Sequence, residues 1–313
     1  MFHPVELLHE WETRSNRPRP RPCGWEQSAP LWCHAAGASL TASQIARPSP
    51  DLMIVVTTYE RPGSASRLLR QLTAALHASS PAQSVALLVL RDACAGDYSL
   101  ARAEARAIDP RHVWLDARQR FGKMEFWRIH QTALDVARVW RPRRALYLQD
   151  DVEFEPDLLL RADRIWQAIE RDPQRRVLYL FSSSDDEPNG RWVSYRRRDV
   201  LAEPCRLTNW FDLQGFMVDR QFFELLDYRM VPVHPNRWKR RPMQSSGVGR
   251  QWSRRLFGRA HVYQAWPPLV VHGTEPSTMN PEARERRSLD NRDDFNWTVP
   301  RPRPERSGDT LSA

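Results

Sequence analysis

The 313-residue chain has only four cysteines, Cys23, Cys33, Cys94 and Cys205, widely spaced and without a single CxxC pair. That excludes zinc ribbons and disulfide scaffolds, and it suits a reducing, cytoplasmic setting. Long apolar runs are also missing. The longest, Leu52–Val56 and Val85–Leu90, fall far short of the ~18 residues that a membrane-spanning helix needs. The N-terminus, MFHPVELLHEWETR, has no basic segment followed by an apolar core and so does not read as a secretory signal. No internal repeat is present. What remains is globular: 41% hydrophobic and 27% charged residues, with 13 Trp, enough to bury a substantial core.

The net charge of +9 is carried almost entirely by arginine rather than lysine. Two readings stand side by side. One is a codon bias that favours Arg, Ala and Pro. The other is attraction to a polyanion, whether nucleic acid, a nucleotide's diphosphate or an anionic surface. Residues 1–50 read as a basic arm, because RPRPRP at Arg17–Pro22 can form neither a helix nor a central strand. Its tryptophans, Trp11, Trp25 and Trp32, are expected to pack on the main body.

From Asp51 the pattern turns into alternating strands and helices, the signature of a parallel α/β sheet. Strands are expected at Leu52–Thr58, Val85–Leu90, His112–Leu115, Ala145–Leu148 and Arg176–Phe181. Between them lie a helix with Leu68, Leu69, Leu72 and Leu76 on one face, a polar Ala-rich helix, and Phe121–Trp140, where Phe126, Ile129, Ala133, Val136 and Trp140 form a core stripe. The second half is less regular. Trp210–Val218, Val262–Trp266 and Leu269–Val271 read as strands, Asp219–Tyr228 and Ser246–Phe257 as helices, and residues 281–313 as a charged tail.

The chemistry centres on RALYLQDDVEFEPDLLL, Arg144–Leu160. A buried strand ends on Asp150-Asp151, and Pro156 is placed to open the next helix. Paired carboxylates at the C-terminal end of such a strand sit where open α/β sheets bind ligands, and a hard cation takes carboxylates of this kind. The plainer reading is a turn with a capped helix behind it. Thr57, Thr58, Tyr59, Glu60 and Arg61 end the first strand, and Asp92 ends the second. Arg120, Gly122 and Lys123 lie at a helix start, where backbone N–H groups favour an anion.

These residues carry a resemblance. YLQDDVEFEPDLL is similar to the metal-binding acidic motif of nucleotide-sugar glycosyltransferases of the GT-A fold, in the form used by N-acetylglucosaminyltransferase I. TNWFDLQGFMVDRQFFELL resembles that family's acceptor-side strand and helix, and PPLVVHGTEPST its closing strand and histidine. The resemblance covers roughly residues 51–280. It implies a Rossmann-like, mostly parallel sheet flanked by helices in one catalytic domain, with a nucleotide-binding half (51–155) and an acceptor half (156–280).

It also implies Asp151 as direct ligand of Mn²⁺ or Mg²⁺, with Asp150 beside it reaching the ribose or the metal's waters and counted among the catalytic residues. His272 becomes a possible further ligand. Thr57, Thr58, Tyr59, Arg61, Asp92, Arg120 and Lys123 would hold the donor, a nucleoside diphosphate sugar with UDP-sugars first in line. Gln149 stands where many relatives carry an acid. The family's catalytic base precedes a Trp-x-Arg-Arg-like helix, but here Gly249–Arg255 (GRQWSRR) holds no carboxylate. Asp212 is the nearest replacement, with Asp185, Asp186 and Glu187 as alternatives. The acceptor stays open between a hydroxylated base in DNA, as in phage DNA modification within a host cytoplasm, and a protein, polysaccharide or lipid-linked hydroxyl. Two other readings remain: a nucleotidyltransferase, for which TTYERPGS is a poor glycine-rich turn, and a non-catalytic nucleic-acid-binding protein.

Overall fold

A computed structural model describes residues 25–34, 40–79, 83–181, 193–195, 213–234, 246–265 and 268–273. Asp212, Asp185, Asp186, Glu187, Trp11, the Arg17–Pro22 run and the tail lie outside these residues.

Within them, a nine-stranded sheet has the order β1-β4-β3-β2-β5-β9-β7-β10-β8. The strands are β1 (Trp32–Cys33), β2 (Leu52–Thr58), β3 (Val85–Arg91), β4 (Val113–Ala117), β5 (Arg144–Gln149), β7 (Arg175–Tyr179), β8 (Val193–Tyr195), β9 (Gly215–Asp219) and β10 (His261–Ala265). Only β1 and β9 run against their neighbours. A second, two-stranded sheet pairs β6 (Val152–Glu153) with β11 (Val271–His272). This is the Rossmann-like, mostly parallel α/β sheet that the sequence leads one to expect. All seven residues of β2 are buried, as a strand covered on both faces requires.

The connections explain the layers. The chain passes from β2 through α3 (Pro62–Ala78) to β3, then through α4 (Ser99–Ile108) to β4, always toward one edge. It then returns through α5 (Gly122–Trp140) to β5, on the other side of β2. Right-handed crossovers place helices on opposite faces when the direction reverses. The helix contacts follow suit: α3 packs with α4 and with α6 (Leu158–Ala168). Helix α5 packs instead with α1 (Trp25–Ser28), α2 (Ala42–Ile45), α7 (Arg220–Leu225) and α8 (Val248–Leu256). The reversal between β2 and β5 is a topological switch point, where chains leaving toward opposite faces open a crevice at the strands' C-terminal ends.

Element limits differ from the sequence expectation in instructive places. Helix α6 starts at Leu158, not at Pro156, because Leu158 N–H closes a turn onto Glu155 O and the helix begins only after it. Helix α7 is shorter than Asp219–Tyr228, because Asp219 is its N-cap, accepting from Phe222 N–H, and Asp227 and Tyr228 adopt positive φ. Helix α8 begins one residue after Gly247, whose φ of 82° a side chain would resist.

The tryptophans of residues 25–34 are packed, not displayed. Trp32 donates its indole N–H to Thr132 Oγ1 of α5 (2.8 Å), and Trp25 donates to Leu40 O (2.8 Å). A polar chain reinforces this seam inside α5. Buried Asp135 accepts from Ser28 Oγ and from Gln131 Nε2 (2.8 Å). Gln131 in turn donates to Tyr228 O (3.1 Å) and accepts from Met230 N–H (2.6 Å).

Burial is the main cause that raises Asp135 from 3.8 to about 6. A carboxyl raised on folding contributes its stability below its unfolded value and loses it as pH rises through the folded one. Asp135→Asn removes that loss while keeping a hydrogen-bonding amide. The variant is expected to melt several degrees above wild type at pH 8, from at most about 3 kcal/mol at 1.36 kcal/mol per pKa unit. The gap should close as pH falls through 6 toward 4. Thermal melts across that range check it, and a pH-independent gap contradicts it.

Candidate active site

The ends of β2, β3 and β5 and the start of α5 enclose a cleft of about 170 Å³. It is lined by Thr57, Thr58, Tyr59, Arg61, Asp92, Arg120, Gly122, Lys123, Phe126, Ile129, Gln149, Asp150 and Asp151. Nine residues expected to bind donor or metal (Thr57, Thr58, Tyr59, Arg61, Asp92, Arg120, Lys123, Asp150 and Asp151) thus meet in one place although they come from four separate segments. Three carboxyl side chains (Asp92, Asp150, Asp151) and three cationic ones (Arg61, Arg120, Lys123) line the cleft together.

Asp150 is held from β2. The two strands run in register through Thr57 and Gln149, and Asp150 N–H donates to Thr57 O (3.0 Å). Its Oδ2 accepts from Thr58 Oγ1 (2.7 Å) and from Tyr59 N–H (3.1 Å). Burial first, then the charge of Asp151, push its carboxyl well above the usual carboxylate range, against the pull of Thr58, Arg61 and the Tyr59 N–H. Asp151 is also buried and pairs through Oδ2 with Arg61 Nη1 at 3.1 Å. Arg61 is 7% exposed, and its backbone N–H donates to Tyr98 Oη (3.0 Å). The residue before it, Glu60, stands at φ 55°, a left-handed conformation uncommon for a non-glycine, with its N–H on Cys94 Sγ (3.3 Å).

Asp92 has a structural task. Its carboxylate accepts from the N–H groups of Phe121 (2.7 Å), Gly122 (2.8 Å) and Ala93 (2.8 Å). It therefore clamps the start of α5 at the cleft, the orphan N–H end of a 19-residue helix. Gly122, at φ 53°, allows the chain to enter the helix there. Arg120 lies over the Tyr59 ring, 4.8 Å from its centroid, and so joins the α5 start to the turn after β2.

His272 occupies a different position. It pairs across β11–β6 with Val152, and its ring meets Phe181 edge-on at 4.7 Å, outside the set that lines the cleft. The same strand pair fixes the motif's far side. Gly273 N–H donates to Asp151 O (2.7 Å), and a Cβ at Gly273 would lie 3.2 Å from that oxygen. Sequence pattern points to a strand at Leu269–Val271, which overlaps β11 only at Val271, but misses its two-residue partner β6. It also missed Tyr98, whose Oη meets both Arg61 N–H and Thr58 Oγ1 (3.3 Å). One signal was available: a lone aromatic in the small, polar stretch Asp92–Asp97 to Ser99.

The donor set fits a hard dication. Among the described residues no group of three or more His, Cys, Asp or Glu side chains is arranged to hold a metal. Mg²⁺ and its relatives nonetheless take one or two carboxylates and complete their shell with water and phosphate oxygens. Two adjacent buried carboxyls, one of them driven toward its neutral form by burial first and then by the other, are a site whose cost a cation relieves.

Thr58 should matter to stability as well as to the site. Thr58→Val leaves Asp150 Oδ2 without its closest donor and is expected to cost about 1.5–3 kcal/mol, the range for hydrogen bonds to charged groups. Thr58→Ser should cost less than half as much. Urea denaturation of both variants measures this, and equal losses would assign the effect to packing.

No protein-family model and no curated protein matches the chain. Solved structures align with it at low identity. The S. aureus protein TarS, residues 1–349, solved with UDP-GlcNAc, is 13% identical over 73% of this chain and 60% of its own, with a TM-score of 0.47. A mannosyltransferase from Pyrobaculum calidifontis, with GDP-Man and Mn²⁺, is 15% identical over 91% and 70%, at 0.48. Glucosyl-3-phosphoglycerate synthase from Mycobacterium tuberculosis, with Mn²⁺, UDP and phosphoglyceric acid, is 12% identical over 79% and 80%, at 0.42. The chain spans 36% of the longer TarS structure and 60% of the shorter one. At this level of similarity the likenesses do not carry the function; the cleft's own residues must.

Proposed function

We propose that the chain is a metal-dependent glycosyltransferase that moves a sugar from a nucleoside diphosphate sugar to a hydroxyl acceptor. One observation carries this reading: Asp150 and Asp151 are buried side by side at the switch point of the sheet, facing Arg61, Arg120 and Lys123 across one cleft. A cleft lined by both carboxyl and cationic side chains takes a divalent cation and a diphosphate together better than it takes either alone.

Asp151, with Asp150 beside it, would hold Mn²⁺ or Mg²⁺, and His272 on β11 is the candidate for a further ligand. The cation, when bound, offsets the charge that builds on a departing diphosphate. Arg61, Arg120 and Lys123 would add positive charge around the same group, while the Phe121 and Gly122 N–H groups at the start of α5 are taken by Asp92. The edge of β2, Thr57 to Tyr59, borders the nucleotide side. Asp92 serves this site by holding the α5 start in place. Asp212 is the candidate base that takes the acceptor's proton. The donor is read as a UDP-sugar, after the resemblance of the acidic motif to the N-acetylglucosaminyltransferase I type, with transfer of a hexosyl or N-acetylhexosaminyl group. The arginine excess is compatible with a hydroxylated base in DNA as acceptor, and equally with protein, polysaccharide and lipid-linked hydroxyls.

A nucleoside diphosphate with Mn²⁺ should raise the melting temperature by more than the sum of the two separate shifts, since each ligand completes the other's site and raises its affinity, and a ligand at 100 times its Kd adds about 2.7 kcal/mol. Asp151→Asn should abolish that surplus and any Mn²⁺-dependent hydrolysis of nucleotide sugars, while near-UV circular dichroism stays unchanged. Thermal-shift and donor-hydrolysis assays across UDP-, GDP- and other nucleotide sugars provide the test. Full activity in excess EDTA, or in the variant, overturns the proposal.

A further inference from the structure

The carboxylate best placed for a cation is already occupied by a cation of the chain's own. Asp151 Oδ2 lies 3.1 Å from Arg61 Nη1, with the two side chains 12% and 7% exposed. A guanidinium this close to a shielded carboxylate competes directly with a dication for the same oxygens, because both satisfy the same charge. Nor is the arginine loosely hung. Its backbone is anchored by Tyr98 Oη, it follows Glu60 in a left-handed turn, and it immediately precedes Pro62, the first residue of α3.

We infer that Arg61 is an internal latch on the metal site: it occupies Asp151 in the free protein and releases it when a diphosphate takes the guanidinium. This rests on the metal-dependent transferase reading and adds a binding order to it. Three features of the cleft make the exchange workable. Arg61 lines the same cleft as Arg120 and Lys123, so a diphosphate drawn in by them comes within its reach. Guanidinium binds phosphate and carboxylate with similar fork geometry, so it loses little in changing partners. Finally, release opens Asp151 Oδ2, beside Asp150 at the same strand end, to an incoming cation in the place the guanidinium held. The latch thus makes the cation's affinity conditional on nucleotide: each ligand raises the affinity for the other, by the same factor in both directions. A free protein that binds divalent metal poorly also keeps the pair from trapping cations in the absence of donor.

The experiment is a Mn²⁺ titration of the full-length chain, by calorimetry or by the electron paramagnetic resonance of free Mn²⁺, with and without UDP. For the wild type, Mn²⁺ alone should bind weakly, and UDP should tighten it at least tenfold. Arg61→Gln should bind Mn²⁺ alone at least tenfold more tightly than wild type, while its affinity for UDP alone falls. The tightening by UDP should then shrink. If Arg61→Gln fails to fold, Arg61→Lys carries the test, since a shorter side chain with a more strongly hydrated ammonium holds a buried carboxylate less firmly than the guanidinium does; Mn²⁺ alone should then bind about threefold more tightly. Unchanged or weaker Mn²⁺ binding in the folded variant overturns the latch and leaves the transferase reading intact. No Mn²⁺ binding to wild type under any condition, UDP included, overturns both.

Discussion

Two carboxylates that follow each other in the chain are buried at the end of a central strand, and much of the surrounding structure consists of what makes that tolerable. A buried charge is expensive unless it is paired or hydrogen-bonded, and two like charges compound the cost. Asp150 is met by a hydroxyl and a backbone N–H from the end of β2, and Asp151 by a buried arginine from the turn that follows. These partners come from one short segment, Thr58 to Arg61. That segment depends in turn on Tyr98, Cys94 and a left-handed glutamate to present its groups inward. On the far side the small β6–β11 sheet holds the carbonyl of Asp151, with Gly273 at its edge. The acidic pair is therefore framed on both sides by backbone, not merely exposed on a loop.

The sheet's order places this frame where a ligand can enter. Because β5 lies on the other side of β2 from β3 and β4, the turn after β2 and the chain after β5 part company. The opening they leave is floored by the start of α5. Asp92 ties that start to the end of β3, so three strand ends and one helix terminus become a single rigid wall. A functional and a structural role are not alternatives for Asp92. By capping α5 it fixes Arg120, Gly122 and Lys123 relative to the acidic pair, and distances of that kind are what a diphosphate site requires.

Legibility from the sequence follows the same physics. The central strands were plain, because a strand buried on both faces must be a continuous apolar run, and LMIVVTT and VALLVL are. Helix α5 was plain because its core stripe repeats at helical spacing over 19 residues. The convergence of Thr57–Arg61, Asp92, Arg120, Lys123 and Asp150-Asp151 was legible too, since all lie at strand ends or a helix start on the side that parallel topology makes common. Long-range partnerships left no local trace. The phenol of Tyr98 serves the turn after β2 from 37 residues away, and Gly273 meets Asp151 across a two-residue strand. Periodicity needs length, and a strand of two residues has none. The N-capping role of Asp92 was hidden for a related reason: its N–H partners Phe121 and Gly122 are 29 and 30 residues distant.

The same distinction bears on what kind of site this is. A cation site assembled for permanent occupancy would leave its carboxylates facing one another with donors arranged around them, and the repulsion would be relieved by the ion alone. Here the relief is built into the chain, by Arg61 for one carboxylate and by Thr58 and Tyr59 for the other. Each acidic side chain therefore has a partner within the chain itself. What the arrangement keeps in reserve is an exchange of partners: an arginine suited equally to carboxylate and phosphate stands between the two groups that a nucleotide and its cation would occupy. On the latch reading, the cooperative response to ligand follows from a single ion pair.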